Sequence, residues 1–412
     1  MLKTLVIALS AALLAASPAF AAEQPSLAAT PPMGWNSWNH YGCSIDETLI
    51  RNTADAMVSS GLRDAGYVNI NLDDCWHGDR DAEGNIQPDA KRFPTGMKAL
   101  GDYLHARGLR FGIYSDTGEK TCAGRPGSQG YEFQDARQYA RWGVDYIKYD
   151  WCNVGKDEWQ RNAREGYATM QRAIVASGRS MILSICEWGD NKPWIWGAKV
   201  GQLWRTTGDI TNCWDCVLGH GTWQSNGIMQ IVDRNEPLRA HAGPGHWNDP
   251  DMMEVGNMAS FAEDRSHFAL WAMMAAPLIT GTDITNLKPE VLAILGNKAI
   301  IAIDQDPLGI QGFRWIRNPD HEIWAKPLSG GDWAIAVTNR GDAVVRVLID
   351  WQHAELNDNL TGNDPKFGEK TYALTDLWRG QNAGTTAVPL TLSVPPHDTA
   401  IYRLSAMKGG GK

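Results

Sequence analysis

From residue 30 to about 310 the chain repeats one unit, a short apolar or aromatic run followed by an amphipathic helical pattern. Eight of these runs are expected to form β-strands: 33–38, 68–74, 110–116, 146–152, 182–188, 203–209, 240–247 and 274–281. Helical spacing of apolar residues lies between most of them, at 46–61, 95–107, 131–142, 156–177 and 260–273. This alternation predicts an α/β fold, a parallel (β/α)8 TIM barrel, with a doubly wound open sheet as the alternative.

The pattern changes after residue 310. Short runs with alternating apolar side chains follow, separated by Gly, Asn, Asp and Pro, at 322–327, 332–339, 343–350, 371–378, 387–394 and 398–404. No strong helical pattern lies between them. We therefore predict a barrel domain over 23–310, a C-terminal antiparallel β-sandwich over 311–405 and a disordered tail over 406–412.

The first 22 residues fit a secretory signal peptide. A basic start is followed by an apolar run at 4–16 and by Ala19-Phe20-Ala21, which matches the small-x-small cleavage rule. The run is too short to span a bilayer, and no later stretch reaches 18 apolar residues, so no membrane span is expected. A buried N-terminal helix is the alternative. Export predicts a secreted or periplasmic protein, in which cysteines can form disulfides. Because the chain has seven cysteines, at least one is left without a partner in the same chain.

Charge narrows the class of partner. The chain has 38 Lys and Arg against 47 Asp and Glu, a formal charge of −9, and this acidic balance argues against a nucleic-acid partner. The contexts of the cysteines contain no paired Cys/His spacing typical of zinc. The sequence carries no indication of an oligomeric state.

Acidic residues follow six successive predicted strands. The carboxyl ends of barrel strands form one face, so these side chains are expected to meet there: Asp73, Asp74, Asp116, Asp150, Glu187, Asp209, Asp249 and Asp251. A carboxylate ring suits either a hard cation or acid–base chemistry on a polyol, and metal-assisted hydrolysis usually adds His ligands. None of the ten His lies at the third to sixth strand ends. Neighbouring tryptophans can cover the apolar face of a sugar ring, so we predict a sugar site with no metal and no cofactor.

Two segments carry the sharpest chemistry. The period of two along a strand puts Lys148 and Asp150 on one side, where the ammonium is expected to lower the pKa of Asp150 and keep it a nucleophile. Asp209 follows its strand two strands further round and is the candidate proton donor. A cation close to a general acid opposes that role. We therefore expect Arg205 to face a sugar hydroxyl, and burial with the charge of Asp150 to keep Asp209 able to donate.

These motifs resemble those of the family 27 glycoside hydrolases, the α-galactosidases. The resemblance runs from about residue 29 to 310, and more weakly through the sandwich. It rests on Pro32-Met33-Gly34-Trp35, Asp73-Asp74-Cys75-Trp76, Gly112-Ile-Tyr114-Ser-Asp116, Lys148-Tyr-Asp150, Cys186-Glu187-Trp188, Arg205 with Asp209, Gly243-Pro-Gly-His-Trp247-Asn-Asp-Pro-Asp251-Met252 and Asp304-Gln-Asp306-Pro-Leu-Gly.

The resemblance implies an exo-acting, retaining enzyme that releases terminal α-D-galactose from oligo- or polysaccharides, with Asp150 as nucleophile and Asp209 as acid/base. It implies that Glu187 marks a galactosidase rather than an N-acetylgalactosaminidase. Matched position by position, the substrate-binding residues are Trp38, Asp73, Asp74, Tyr114, Lys148, Glu187, Trp188, Arg205 and Asp251. Trp151 and Trp204 are expected in the core instead.

The resemblance also implies disulfides between Cys43 and Cys75 and between Cys122 and Cys152. It does not account for Cys186, Cys213 and Cys216. Cys213 and Cys216 can form a short-range bridge just after the proposed acid, which leaves the geometry of that loop open.

Four alternatives stay open at this point. A β-L-arabinopyranosidase or an α-N-acetylgalactosaminidase can share the same scaffold, although paired Asp73 and Asp74 favour a site that accepts the galactose hydroxymethyl group. A non-catalytic sugar-binding protein is more remote, because both candidate catalytic acids are present. A metal-dependent barrel isomerase would lose its activity to a chelator.

Overall fold

The computed structural model describes residues 27–156 and 159–407. The predicted signal peptide and the last five residues of the predicted tail lie outside the described residues. Eight short strands form one parallel sheet: β1 Met33–Asn36, β2 Asn69–Asn71, β3 Arg110–Asp116, β4 Tyr146–Asp150, β5 Ile182–Ile185, β6 Leu203–Arg205, β7 Trp247–Asp249 and β8 Leu278–Thr280.

The strand order identifies a barrel. The hydrogen-bonded order is β7-β6-β5-β4-β3-β2-β1-β8, and every pairing in it is parallel. A further parallel bridge joins Met253, just beyond β7, to Thr280 of β8. The sheet therefore curls so that its two edges meet, which confirms the predicted barrel class and excludes the open sheet.

The longer helices cover the outside of the curled sheet, whereas the short first helix follows β1 at the edge of the cavity described below. The helices are α1 Trp38–Tyr41, α2 Glu47–Ser59, α3 Leu62–Ala65, α4 Gly96–His105, α5 Glu132–Trp142, α6 Ala163–Ser177, α7 Ile228–Asn235, α8 Phe261–Met273, α9 Pro289–Leu295 and α10 Lys298–Asp304. α6 starts later than the predicted residue 156, because the side chain of Asn162 accepts a hydrogen bond from the Glu165 amide and caps the helix there.

One predicted strand is wrong in its position. Residues 240–247 were expected to form the seventh strand, but Glu236–His241 is a 3-10 helix and the strand begins at Trp247. The ladder with β6 explains the shift, because Trp247, Asn248 and Asp249 pair with Leu203, Trp204 and Arg205.

Tryptophan fills much of the barrel core. The fully buried members are Trp35, Trp76, Trp204, Trp247 and Trp271, and Trp151 packs in the same core. The prediction that Trp151 and Trp204 are core residues is confirmed. Buried indole N–H groups need acceptors, and Trp204 Nε1 donates to Asn248 Oδ1 at 2.8 Å.

The C-terminal part is an antiparallel sandwich, as predicted. Its eight strands are β9 Phe313–Arg317, β10 His321–Pro327, β11 Trp333–Asn339, β12 Val345–Ile349, β13 Tyr372–Asp376, β14 Gln381–Thr385, β15 Leu390–Val394 and β16 Thr399–Ala406. Six form one sheet in the order β9-β10-β11-β16-β13-β14, and β12 pairs with β15. β16 includes Ala406, the first residue of the predicted tail.

The two parts pack directly on each other. Lys326 Nζ on β10 donates to the Ala272 carbonyl on α8 at 2.9 Å, and Ser266 Oγ on α8 donates to the His397 carbonyl at 2.6 Å. One face of the large sheet, including Trp324, continues the barrel core. No helix among the described residues is long and apolar enough to cross a membrane.

Candidate active site

A cavity of about 540 Å³ opens at the carboxyl ends of the barrel strands. Ten of the eleven site residues expected from the sequence line it. They are Trp38, Asp73, Asp74, Tyr114, Lys148, Asp150, Trp188, Arg205, Asp209 and Asp251. The strand ends thus bring together side chains that are far apart in the chain.

One side of the cavity is built on β2 and β4. Asp73 Oδ2 accepts hydrogen bonds from Lys148 Nζ at 2.8 Å and from Asn36 Nδ2 at 2.8 Å. Burial lowers the pKa of Lys148, but the neighbouring Asp73 and Asp150 carboxylates raise it by more. The pKa of Lys148 therefore lies well above its usual range. Lys148 is therefore a fixed cation at this wall.

Asp74 is held by backbone on both oxygens. Its Oδ1 accepts from the Cys75 amide at 2.6 Å, and its Oδ2 accepts from the Ala123 amide at 2.8 Å. Cys75 has a φ of 77°, which turns the chain away directly after the two acids, and it is bonded to Cys43. Burial raises the pKa of Asp74 above its ordinary value.

Asp150 ends β4 and is almost completely buried. Burial is the main reason that its pKa is raised from 3.8 to about 6, with further increases from Asp209 and Asp73. The Lys148 ammonium lies 3.9 Å from Asp150 Oδ2 and lowers this pKa, but by less. The expectation that Lys148 depresses the pKa of Asp150 is therefore wrong in its net sign, because desolvation outweighs one cation.

Arg205 ends β6 and joins two acids. Its Nη2 lies 2.8 Å from Asp251 Oδ2 and 3.0 Å from Asp209 Oδ1. The expectation that Arg205 stands away from Asp209 is wrong. A buried guanidinium needs acceptors, and the chain after β6 returns Asp209 to it four residues later. The expectation that Asp209 is buried is wrong as well, because 40% of its side chain is exposed.

Asp251 connects the loops that follow β6 and β7. It has a φ of 96°, which is costly for a residue other than glycine, and its Oδ2 accepts from the Ile210 amide at 2.8 Å. This bond fixes the backbone next to Asp209. Burial, opposed by Arg205, raises the pKa of Asp251 to about 7.

Glu187 is the predicted site residue that does not line the cavity. It is fully buried beside Trp188, and its Oε2 accepts from the Asn191 amide at 2.6 Å and from Asn191 Nδ2 at 2.7 Å. Its Oε1 has no hydrogen-bond partner within the described residues. Burial raises the pKa of Glu187 to about 7.

Asp116 is a strand-end acid whose setting the sequence did not predict. It ends β3 and does not line the cavity, and its oxygens accept hydrogen bonds from the Gly118 amide at 2.7 Å and the Cys152 amide at 2.9 Å. Burial, with the charge of Asp150, raises its pKa to about 8.

Several lining residues were missed altogether. They come from the loops after β1, β6 and β7 and include Asn39, His40, Thr211, Asn212, His220, Trp223, Ser225, Glu254 and Asn257. These short segments beyond the barrel strands show no apolar period, so no pattern in the sequence marked their residues.

Six cysteines are joined in three disulfides. Cys43–Cys75 and Cys122–Cys152 are the pairs that the resemblance implies, and the third is Cys213–Cys216. Cys186 is buried and unpaired in the described chain. Asp116 lies close to Cys122 and Cys152, but two sulfurs in one disulfide offer a metal no thiolate.

A parallel barrel with a polar cavity at its strand ends, lined by carboxyl groups that include Asp150 and Asp209, is the arrangement expected of a glycoside hydrolase. Comparison with known proteins agrees. The family model described as "Alpha galactosidase A" matches residues 30–306, and that of the "Alpha galactosidase C-terminal beta sandwich domain" matches residues 318–404. The chain belongs to the α-galactosidase family, glycoside hydrolase family 27.

Relatives cover nearly the whole chain. It is 53% identical over 376 residues to "Alpha-galactosidase A" of Cellvibrio japonicus, and the matched region covers 91% of this chain and 92% of the relative. It is 43% identical over 380 residues to "Alpha-galactosidase" of Cyamopsis tetragonoloba, with 91% and 86% covered. The solved structure of Saccharomyces cerevisiae α-galactosidase with raffinose is 30% identical with a TM-score of 0.84, over 93% of this chain and all of that one.

Other family members are more distant. A β-L-arabinopyranosidase from Geobacillus stearothermophilus has a TM-score of 0.78 at 22% identity, over 93% of this chain and 98% of that one. At this identity the likeness concerns the fold alone.

Proposed function

We propose that the protein is an exo-acting α-galactosidase that releases terminal α-D-galactose from oligo- or polysaccharides and retains the configuration of the anomeric carbon. The observation that carries the proposal is that Asp150 and Asp209 face one cavity whose wall also holds the Lys148–Asp73 pair. Two carboxyl groups and a set of hydroxyl-binding groups are what retaining hydrolysis requires.

Asp150 is the nucleophile in this proposal. An oxygen of its carboxylate bonds to the anomeric carbon while the bond to the glycosidic oxygen breaks. Its burial at the end of β4 leaves the carboxylate poorly solvated, so little water must be removed before attack. The pKa of about 6 means that this carboxylate is ionised above that pH.

Asp209 is the acid/base. It protonates the glycosidic oxygen as that oxygen leaves, and later takes a proton from the water that attacks the galactosyl-enzyme, which restores both groups. Its partly exposed carboxyl suits a group that serves the leaving group first and water next. Arg205 and the Asp251-bound backbone hold it in place.

The remaining residues bind the galactose ring. The resemblance to the family assigns Asp73 and Asp74 to the 4- and 6-hydroxyl groups and Lys148 to the 3- and 4-hydroxyl groups. The three side chains line the same cavity, and Lys148 Nζ donates to Asp73 Oδ2 at 2.8 Å. Arg205 and Asp251 are assigned to the region of the 2-hydroxyl group. Trp38 covers the apolar face of the ring, and Tyr114 and Trp188 complete the wall.

Glu187 is assigned a positioning role in this proposal. It does not touch the cavity, but it holds Asn191 and therefore the loop that begins with Trp188. Export to an oxidising compartment is part of the proposal as well, supported by the three disulfides and by the signal-like N-terminal sequence.

The proposal is tested with three aryl glycosides, p-nitrophenyl α-galactoside, α-N-acetylgalactosaminide and β-L-arabinopyranoside, and with NMR of the first sugar released. The expected result is preference for the α-galactoside and initial release of α-galactose. Preference for either other glycoside would replace the proposed substrate. Initial release of β-galactose would exclude the double displacement.

A further inference from the structure

A β-hairpin lies at the edge of the cavity, in the segment of chain that follows Asp209. Its strands are Val217–Gly219 and Gln224–Asn226, paired antiparallel with Ser225 opposite Leu218. The turn between them closes with a hydrogen bond from the His220 amide to the Trp223 carbonyl at 2.8 Å. Gly221, with a φ of 81°, permits this turn.

The root of the hairpin is tied to the backbone of Asp209. The Asn226 amide donates to the Asp209 carbonyl at 2.8 Å, and the Thr211 amide donates to the Asn226 carbonyl at 2.9 Å. The Cys213–Cys216 disulfide closes a short loop of the chain just before the first strand. The hairpin is thus held in a fixed relation to the proposed acid/base.

The root also rests on the sandwich. Trp214, between the two cysteines, stacks on His397 with ring centroids 4.7 Å apart, and its Nε1 donates to the Arg340 carbonyl at 3.2 Å. Trp214 is 8% exposed. A hairpin braced in this way can present side chains at its tip without bending.

The tip carries an aromatic pair. The rings of His220 and Trp223 stack with centroids 4.1 Å apart and an angle of 24° between their planes, and His220 Nε2 lies 2.9 Å from Ser225 Oγ. Both residues line the cavity, yet Trp223 is 53% exposed. The indole ring of Trp223 is therefore half exposed at the edge of the cavity, where it can stack on a ligand.

We propose that Trp223, backed by His220, is the stacking platform for the first sugar of the leaving group. The proposal rests on the proposed function, because the acid/base must lie beside the glycosidic oxygen and the leaving group therefore extends past Asp209 toward the hairpin. An indole ring covers the apolar C–H face of a pyranose. The substrate class this favours is galactosyl oligosaccharides in which galactose is linked to another pyranose.

The test compares two substrates that differ in the leaving group. Melibiose carries a pyranose in the proposed subsite, and α-galactosyl fluoride carries no ring there. In Trp223→Ala we expect the ratio of kcat/KM for melibiose to kcat/KM for the fluoride to fall about tenfold, mainly through KM. Trp223→Phe keeps an aromatic face and should keep the ratio within about threefold. Leu218→Ala is the matched control, because Leu218 is exposed on the same hairpin and does not line the cavity.

The outcomes separate the two proposals. If the wild type hydrolyses the fluoride and Trp223→Ala leaves the ratio unchanged, or lowers both rates equally, the proposed function stands and the platform is refuted. If the wild type hydrolyses neither substrate, the proposed function fails and the platform fails with it. If the Trp223 variant does not fold, His220→Ala provides the same test. We expect the ratio to fall about threefold in this variant, and an unchanged ratio would refute the platform.

Discussion

Replacing the proposed nucleophile should stabilise the protein. Asp150→Asn removes a buried carboxylate whose pKa is raised from 3.8 to about 6. The variant keeps the size and shape of the side chain, so the change isolates the charge. It should be inactive and yet unfold at a higher denaturant concentration than the wild type at neutral pH.

The magnitude follows from the shift. A rise of about 2 units in the folded-state pKa corresponds to about 3 kcal/mol, since one unit is about 1.36 kcal/mol. The sign follows from proton binding. Between pH 3.8 and about pH 6 the unfolded chain has lost this proton and the folded chain keeps it, so the free energy of unfolding falls as pH rises through that window. Above pH 6 the whole cost is present, and below pH 3.8 none of it is.

Urea denaturation followed by tryptophan fluorescence measures the effect. At pH 7.5 the free energy of unfolding of Asp150→Asn should exceed that of the wild type by about 3 kcal/mol, and at pH 4 by less than about 1 kcal/mol. Glu119→Gln, which removes an exposed acid, should match the wild type at both values of pH. An equal gain at pH 4 and pH 7.5 would show that shape and not charge is responsible. A less stable variant at pH 7.5 would refute the reasoning.

Three further predictions concern the same network and the join between the domains. The acid limb of kcat/KM should have an apparent pKa near 6, from Asp150, and Lys148→Met should move it to higher pH; a limb near pH 4 would contradict this. Asp209→Ala should lose about 10²–10⁴-fold on melibiose but much less on 2,4-dinitrophenyl α-galactoside, and equal losses would remove Asp209 from the acid role. Arg239→Ala should cost about 3–5 kcal/mol in urea denaturation, because fully buried Asp358 loses its bidentate partner; Arg239→Ala with Asp358→Asn should recover part of it.

The barrel was predictable because its elements repeat. A strand buried on both faces is an apolar run, and a surface helix has apolar residues at helical spacing. Both patterns can be recognised in the sequence alone. The position of the seventh strand was predicted wrongly, because Trp247–Asp249 is short and follows a 3-10 helix, which has no characteristic spacing of apolar residues. The edge strand Gln381–Thr385 was not predicted. It is polar and mostly exposed, so it shows no alternation of apolar residues.

The site was predictable as a set of residues but not as an electrostatic network. Parallel strands end on one face, and that rule alone brings Asp73, Asp150 and Asp251 together. The depth at which each carboxylate is buried depends on neighbours from every strand, so the sequence did not reveal that burial overcomes Lys148 at Asp150. The return of Asp209 to Arg205 likewise depends on the backbone path after β6.

Burial is the main cause of the raised pKa values of Asp74, Asp150 and Asp251, and the balance of charge in the site adds to it. Six carboxyl groups line the cavity, and two cations, Lys148 and Arg205, face them. The acids are Asp73, Asp74, Asp150, Asp209, Asp251 and Glu254. Each cation is shared between two acids, at distances of 2.8 to 3.9 Å. The excess of negative charge costs folding free energy whenever the buried acids ionise. The same excess stabilises positive charge, and the transition state of glycoside hydrolysis resembles an oxocarbenium ion. The negative electrostatic field of these acids therefore lowers the stability of the folded protein and also lowers the barrier of the proposed reaction. The field is already in place before the sugar becomes positively charged.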